Sequence, residues 1–190
     1  SIFDDFMELN GLVAPALNAT TDAEVDALFM AATLPPEATE QLRTYLERES
    51  GPLAVRSSSL FEDAFMQPFA GIYSSYLLPN NGPLDARLNH LVWAVKKVYA
   101  STFSREAQRY AESMSNRTEE EKMAVILQPL VGNQDSEGRY FYPTLAGVAN
   151  SVDFYPAPNT SPSHGCAEVA LGLGAAVVDN AQSVHFSLGD

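Results

Sequence analysis

Apolar residues recur at helical spacing through the first fifty residues of the chain. Residues 1–9 predict a short helix that stops at an Asn-Gly pair. Residues 21–32 begin with a Thr-Asp capping signal and place Val25, Leu28 and Phe29 on one face. Residues 34–51 have two prolines near their start, continue with glutamates that complement a helix dipole, and end at a glycine. This stretch therefore predicts a third helix, with stronger signals than the first two.

The pattern then changes to shorter apolar runs. Residues 52–57 predict a strand, a loop follows to about Gly71, and residues 71–79 predict a second strand. Residues 84–115 have a broad apolar face at helical spacing, which predicts one long helix or two. Residues 123–131 are almost continuously apolar, which is the pattern of a strand covered on both faces.

Strands dominate the last third of the chain. Residues 139–156 alternate and contain a glycine, which predicts antiparallel strands with a bend. A polar loop separates them from residues 166–180, an apolar run punctuated by glycine whose pattern leaves helix and strand open. Residues 183–188 predict a last strand. This mixture of elements indicates an α+β fold.

Composition and charge narrow the class of protein. The chain has 190 residues, of which 46% are hydrophobic and 18% charged, as in one globular domain or one with two small lobes. No apolar run reaches the roughly 20 residues of a membrane span. The formal net charge of -13 disfavours nucleic acid and anionic membranes as partners, because phosphate contacts need clustered lysine and arginine. A small phosphorylated ligand is not excluded, since one or two cations in a cleft can hold a phosphate.

The single cysteine and the N-terminus bear on the compartment. Cys166 cannot form an intrachain disulfide, which favours a reducing cytoplasm. The first residues have no basic run before an apolar segment, so no signal peptide is expected. The sequence does not begin with methionine, which suggests a fragment of a longer protein.

Arg56 is the first candidate for a binding residue, because it follows an apolar strand directly. Its five N–H donors suit a phosphate, and the hydroxyls of residues 57–59 would add hydrogen bonds. A structural ion pair with Glu62 or Asp63 in the same loop is an equally good interpretation. The serine run is not a Walker A motif, since it lacks the glycines and the lysine.

Several further features have both a functional and a structural interpretation. Glu62 and Asp63 have the chemistry of metal ligands or acid–base groups, but adjacent carboxylates more often solvate a loop. Gly71 would allow a ligand to approach the backbone closely, and it is also ordinary turn chemistry. Gln128 and Pro129 interrupt an apolar strand, so the chain must lie at a sheet edge or leave the sheet there. Freed backbone groups beside the glutamine amide could recognise an adenine edge, and a simple strand end is the alternative.

The remaining signals are weak. His164 and Cys166 are close in sequence, but a thiolate–histidine nucleophile needs a third orienting group and a metal site needs more ligands. His90 and His185 stand alone and are expected to be structural or exposed. The Gly-rich residues 170–174 lack the strand–GxGxxG–helix context of a phosphate loop.

Taken together, the segments resemble the N-terminal nucleotide-binding domain of the phosphoenolpyruvate synthase and pyruvate phosphate dikinase family. The matching segments, in the family order, are LAVRSSSLFEDAFMQPFAGIYSSYLLPN, MAVILQPLVG, RYFYPTLAGVANSVDFYP and EVALGLGAAVVDN, and the opening FDDFMELNGL is also similar. The resemblance implies an ATP-grasp fold that holds ATP between two α+β lobes. The chain would be a single partial domain of this kind. Residues 1–120 would form a helix-rich lobe with the VRSS and FAG loop, and residues 121–190 a strand-rich lobe with the Gln-Pro hinge.

The resemblance also implies roles for particular residues. Arg56 corresponds to the arginine that grips the ATP phosphates. Gly71 and Ser75 correspond to loop positions that approach the nucleotide, and Gln128 to the adenine hinge. In the family, ATP phosphorylates a histidine on a separate swivelling domain, and the phosphoryl group then passes to pyruvate on a third domain. Those two domains of the same parent chain are the expected partners.

Other parts of the family pattern are not found in these residues. The family's phosphate-binding lysine lies upstream of the matched segments, and its acidic Mg²⁺ ligands lie downstream. No catalytic or metal-ligating residue is therefore assigned in this chain, and the fragment alone is expected to have little or no activity. A dikinase that acts on another acceptor fits the same residues. The alternative of another class is a non-catalytic nucleotide-sensing or interaction module with a degenerate ATP-grasp fold.

Overall fold

The computed structural model describes residues 1–59, 72–113, 122–174, 177 and 182–189. The chain divides into two compact units, Ser1–Leu130 and Val131–Asp190. Residues 123–129 pair with the first strand and so belong to the first unit. The division into two lobes at residues 120 and 121 stays a prediction.

Helices form most of the first unit. They are α1 (Ile2–Leu9), α2 (Val13–Asn18), α3 (Asp22–Ala31), α4 (Pro36–Arg48), α5 (Leu84–Ser101) and α6 (Arg105–Ser113). The hydroxyl of Thr21 accepts from the backbone N–H of Glu24 at 3.2 Å, which is the predicted cap of α3. The hydroxyl of Ser104 caps α6 in the same way, so the long helical region is two helices. The short α2 was not predicted.

The core of the first unit lies around α5. This helix packs against α3, α4 and the first strand. Phe6 and Phe29 are fully buried, with ring centroids 5.9 Å apart, and Phe6 also meets Tyr99 of α5 at 5.4 Å. Arg87 of α5 donates to the carbonyls of Leu46 and Glu49 at the end of α4, which satisfies groups that a helix terminus leaves unpaired. These contacts fix α5 beneath the sheet.

The sheet of the first unit has the order β2–β1–β3 and is antiparallel throughout. Its strands are β1 (Leu53–Ser59), β2 (Tyr76–Leu78) and β3 (Met123–Pro129). β2 is shorter than the predicted residues 71–79, because its ladder with β1 ends at Tyr76. The prediction that β3 is covered on both faces is wrong, because Ile126 is 43% exposed on one of them. In the described sheet, β3 is the strand at one edge.

The second unit consists of a small hairpin and a three-stranded sheet. The hairpin joins β4 (Asn133–Gln134) to β5 (Phe141–Tyr142), and the antiparallel sheet has the order β6 (Leu145–Asn150), β7 (Cys166–Leu171), β8 (Val184–Ser187). The sequence predicted long antiparallel strands over residues 139–156, but the structure has only β5 and β6 there, separated at Pro143 and Thr144, and each pairs with a different neighbour. The undecided run begins as strand β7, and β8 is the predicted last strand. Among the described helices, none is both long enough and apolar enough to span a bilayer.

An ion pair between α1 and the start of β3 makes the stability of the chain pH-dependent. Asp4 accepts a hydrogen bond from Lys122 and another from the Ser1 hydroxyl, and these lower the pKa of its carboxyl to about 2. A carboxyl with a lowered pKa stabilises the fold above its unfolded pKa, about 4, and this contribution disappears as the pH falls towards 2. Replacing Lys122 with methionine should raise the pKa of Asp4. The free energy of unfolding should then fall less steeply as the pH is lowered from about 4 towards 2.

Carboxyl NMR of Asp4 and urea unfolding at several pH values would measure both effects. Lys97→Met is the matched control, because Lys97 pairs with Asp26 and not with Asp4. A pKa of Asp4 near 4 in the unaltered chain would contradict this description of the pair.

Candidate functional site

Arg56 lies in the middle strand of the first sheet, with its side chain on the face opposite α5. Successive side chains of a strand point to opposite faces. Val55 and Ser57, on either side of Arg56, are buried towards the helices, whereas Arg56 is exposed. The strand thus continues through the serine run to Ser59, where the sequence suggested a loop after Arg56. The arginine is fixed at its backbone by two neighbouring strands, and its guanidinium is accessible.

Gln128 is the nearest described polar partner of Arg56. The register pairs Arg56 with Ile126 and Ala54 with Gln128, so Arg56 and Gln128 are diagonal neighbours on one face. The Nη1 atom of Arg56 donates to the Oε1 atom of Gln128 at 3.2 Å. The structure therefore brings together two candidate residues that are 72 positions apart in sequence.

Ser75 is exposed and directly precedes β2. Tyr76 is the register partner of Val55, so Ser75 is one position further towards Arg56. The preceding residue is fixed: the N–H of Ser74 donates to the Ser101 hydroxyl at 3.2 Å, and that hydroxyl donates to the Val98 carbonyl at 2.7 Å. The C-terminal end of α5 therefore holds the segment that carries Ser75.

Three of the candidate residues lie outside the described residues: Gly71, Glu62 and Asp63. The alternative interpretation of Arg56, an ion pair with Glu62 or Asp63, lies outside them as well.

The face that carries Arg56 also has exposed apolar side chains. We call it the Arg56 face and define it by the side chains of Ala54, Arg56, Leu77, Ile126 and Gln128. Leu77 is 55% exposed and Ile126 is 43% exposed. An exposed apolar surface with one guanidinium and one amide can accept a flat apolar ring system and an anion. No motif in the sequence marks Leu77 or Ile126 as a binding residue, although alternation within β3 places Ile126 on the same face as Gln128.

Comparison with known proteins identifies the family. Residues 9–186 match the family described as "pyruvate phosphate dikinase, AMP/ATP-binding domain". The chain belongs to this family. The match covers most of the chain, including both units, and it confirms the resemblance that the sequence segments indicated.

Two curated relatives of this AMP/ATP-binding domain are similar at modest identity. A probable phosphoenolpyruvate synthase of Staphylothermus marinus is 28% identical over 151 residues, which are 68% of this chain and 17% of that protein. An uncharacterised phosphotransferase, YvkC, of Bacillus subtilis is 32% identical over 134 residues, which are 69% of this chain and 15% of that protein. The chain thus spans about a sixth of the length of these relatives. These names support a phosphotransferase at family level.

The free edge of β3 offers a second kind of contact in this AMP/ATP-binding domain. The N–H of Leu130 donates to the carbonyl of Pro52, which continues the β1–β3 ladder by one residue. Backbone groups of an antiparallel strand alternate between its two sides. The backbone of Gln128 therefore points to β1, and the backbones of Leu127 and Pro129 point away from it. Among the described strands, no other strand pairs with β3 on that side.

The histidine that lies near Cys166 in the structure is not the one nearest to it in sequence. His90 is exposed on α5, and His164 lies beside the backbone of Gly189. In the second unit, Cys166 lies near His185 and Asp153, and the ligand atoms of these three residues are within 4.8 Å of one another. In the sequence His185 stands alone, and no local pattern marks Asp153 as a functional residue. His185 lies near Cys166 because β8 pairs with β7, and a local sequence pattern does not show which strands pair.

Proposed function

We propose that the Arg56 face binds ATP and that Arg56 holds its phosphates. The observation that supports this most directly is the exposed Arg56–Gln128 pair on an apolar sheet face, in a member of an AMP/ATP-binding family. A guanidinium is permanently charged and can bind two phosphate oxygens at once. Ser75 and Gly71 are proposed as the loop positions near the nucleotide, and Gln128 as part of the adenine hinge.

The 3.2 Å bond between Arg56 and Gln128 restricts how the hinge can work. Two side-chain ends that touch each other cannot contact opposite ends of ATP at the same time. We therefore assign the adenine contact to the outward backbone groups of Leu127 and the carbonyl of Pro129. Neighbouring strands are about 4.8 Å apart, so a base at the free edge of β3 would direct the phosphates over β1. The Gln128 amide would then orient the Arg56 guanidinium.

In its full form we propose that the protein is a phosphotransferase of the phosphoenolpyruvate synthase and pyruvate phosphate dikinase type. The chain would be the ATP-binding part of an ATP-grasp domain in the cytoplasm. A swivelling domain of the parent protein would supply the histidine that ATP phosphorylates, and a third domain would bind pyruvate. The relatives, of which the chain spans about a sixth, have room for such domains.

Mg²⁺ is expected with ATP in such an enzyme, where it would neutralise charge on the phosphates. The described residues of the Arg56 face do not fit this ion, because none of them is a carboxylate. We propose that the Mg²⁺ ligands and a phosphate-binding lysine lie outside this chain, as the family resemblance implies. Phosphoryl transfer depends on such positioned charges, so we expect the chain alone to bind ATP weakly and to be inactive.

Labelling the parent protein with radioactive ATP tests the phosphotransferase. We expect acid-labile label on a histidine outside this chain, and transfer of that label to pyruvate. ATP binding without any labelled histidine would instead favour the non-catalytic nucleotide-sensing module. Labelled histidine without transfer to pyruvate would point to a dikinase with another acceptor.

The role of the Gln128 side chain has its own test. Gln128→Ala in the parent protein should weaken ATP binding by roughly two- to tenfold, the effect of losing one neutral hydrogen bond. The effect stays small because the backbone contacts of β3 are kept. Calorimetry with ATP·Mg²⁺ would measure it. A loss as large as that for Arg56→Ala would mean that the glutamine amide itself binds the nucleotide.

A further inference from the structure

The second unit contains a cluster of three different donor groups that are not part of the proposed nucleotide site. Cys166 opens β7, the central strand, and His185 lies on the neighbouring strand β8. The register pairs Cys166 with Ser187 and Glu168 with His185, so Cys166 and His185 are diagonal neighbours on one face. Strand pairing therefore holds the thiol and the imidazole together.

Asp153 completes the cluster from the loop after β6. Its N–H donates to the Pro162 carbonyl at 2.8 Å, and its Oδ1 atom accepts from the N–H of Tyr155 at 2.9 Å. Its Oδ2 atom lies 3.8 Å from the Nε2 atom of His185. The Asp153 side chain is only 5% exposed. A buried carboxylate is costly unless it is paired or binds a metal ion.

Gly165 allows this loop to come close to the sheet. Its φ is +72°, in the region that favours glycine, and a Cβ atom there would lie 2.3 Å from the Asn150 carbonyl oxygen. The chain can therefore turn tightly from residues 162–164 into Cys166, beside the end of β6 that leads to Asp153. The positions of the carboxylate and the thiol are both set by the backbone.

The geometry points to a binding site for one Zn²⁺-like divalent ion, with Asp153, Cys166 and His185 as its protein ligands. Thiolate, imidazole and carboxylate are the groups that bind zinc, at about 2.3 Å for sulfur and about 2.0–2.2 Å for nitrogen and oxygen. The three ligand atoms lie within 4.8 Å of one another, so contraction by about 1 Å brings them onto a tetrahedral ion. His185 is 54% exposed, which leaves the fourth position open to water or another ligand.

The same three residue types also occur in nucleophilic relays, but the arrangement differs. In a relay the imidazole lies between the nucleophile and the carboxylate, and it uses one nitrogen for each. Here the thiol, the imidazole and the carboxylate all approach one another, as ligands around a common point do. A thiolate and a carboxylate would also cancel the double charge of the ion, so the filled site would be neutral.

Metal titration of the 190-residue chain tests the site. We expect one Zn²⁺ per chain by calorimetry and a higher melting temperature with Zn²⁺ than without. With Co²⁺ as the probe, we expect a thiolate-to-cobalt absorption band and the visible bands of a tetrahedral ion. Cys166→Ser should remove the thiolate band and weaken binding by at least roughly a hundredfold. His185→Gln should also weaken binding, and it should leave folding intact because His185 is half exposed.

His164→Gln is the matched control, because His164 is two residues from Cys166 but outside the cluster. Binding should be unchanged in this variant. Three results would overturn the proposal: no Zn²⁺ binding at micromolar concentrations, full binding by His185→Gln, or loss of binding in His164→Gln. Rapid alkylation of Cys166 in a chain that binds no metal would identify a nucleophile instead.

Discussion

Replacing Arg56 with alanine is expected to lower the affinity of the parent protein for ATP·Mg²⁺ by roughly ten- to a hundredfold. A hydrogen bond to a charged group contributes about 1.5–3 kcal/mol, which corresponds to this range. The chain has a formal net charge of -13, so its overall field does not favour an anionic nucleotide, and binding depends on local cations such as Arg56. Isothermal titration calorimetry of the parent protein measures the change directly.

Two variants show whether the loss comes from the guanidinium itself. Arg56→Lys keeps the charge but loses the planar fork, so its affinity should lie between those of the original protein and Arg56→Ala. Arg139→Ala removes an exposed arginine of the second unit that pairs with Glu137, and it should leave ATP affinity unchanged. Equal ATP binding by Arg56→Ala and the original protein would rule out the proposed role of Arg56.

The sequence predicted the described helices other than α2 and most of the described strands, because these follow from local patterns. Thr21 and Ser104 mark helix starts with their own side chains, and Pro129 marks the end of an edge strand. The sequence placed Arg56 at the end of an apolar strand, whereas in the structure it lies within β1 and is exposed on the face opposite that of Val55. How it takes part in ATP binding stays a prediction.

What the sequence did not predict depends on pairing between distant segments. The bond from Arg56 to Gln128 exists because the β1–β3 register places them diagonally, and local pattern does not specify a register. The same is true of His185, which meets Cys166 only across β7 and β8. The apolar run of β3 predicted a strand buried on both faces, but Ile126 lies on an exposed face of the sheet. An exposed apolar residue cannot be distinguished from a buried one by its residue type alone.

The largest expected effect on stability comes from α5, on which the sheet with Arg56 rests. Leu91 is fully buried in this helix. Leu91→Ala should lower the free energy of unfolding of the first unit by about 2–5 kcal/mol, since it removes buried methyl groups and leaves a cavity. Trp93 is the single tryptophan, and its ring meets that of Tyr76 on β2 with centroids 5.1 Å apart. Its fluorescence during urea unfolding therefore reports on the packing of α5 against the sheet.

Leu9→Ala is the matched control for this stability change. Both substitutions remove the same atoms from a helix of the first unit, but Leu9 is 58% exposed. Substitutions at exposed positions usually change stability by at most about 0.5 kcal/mol, so the difference between the two variants isolates the effect of burial. Similar losses in both variants would contradict the position of Leu91 in the core. A large loss for Leu91→Ala alone would support α5 as the rigid base that holds β1, and with it Arg56, in place.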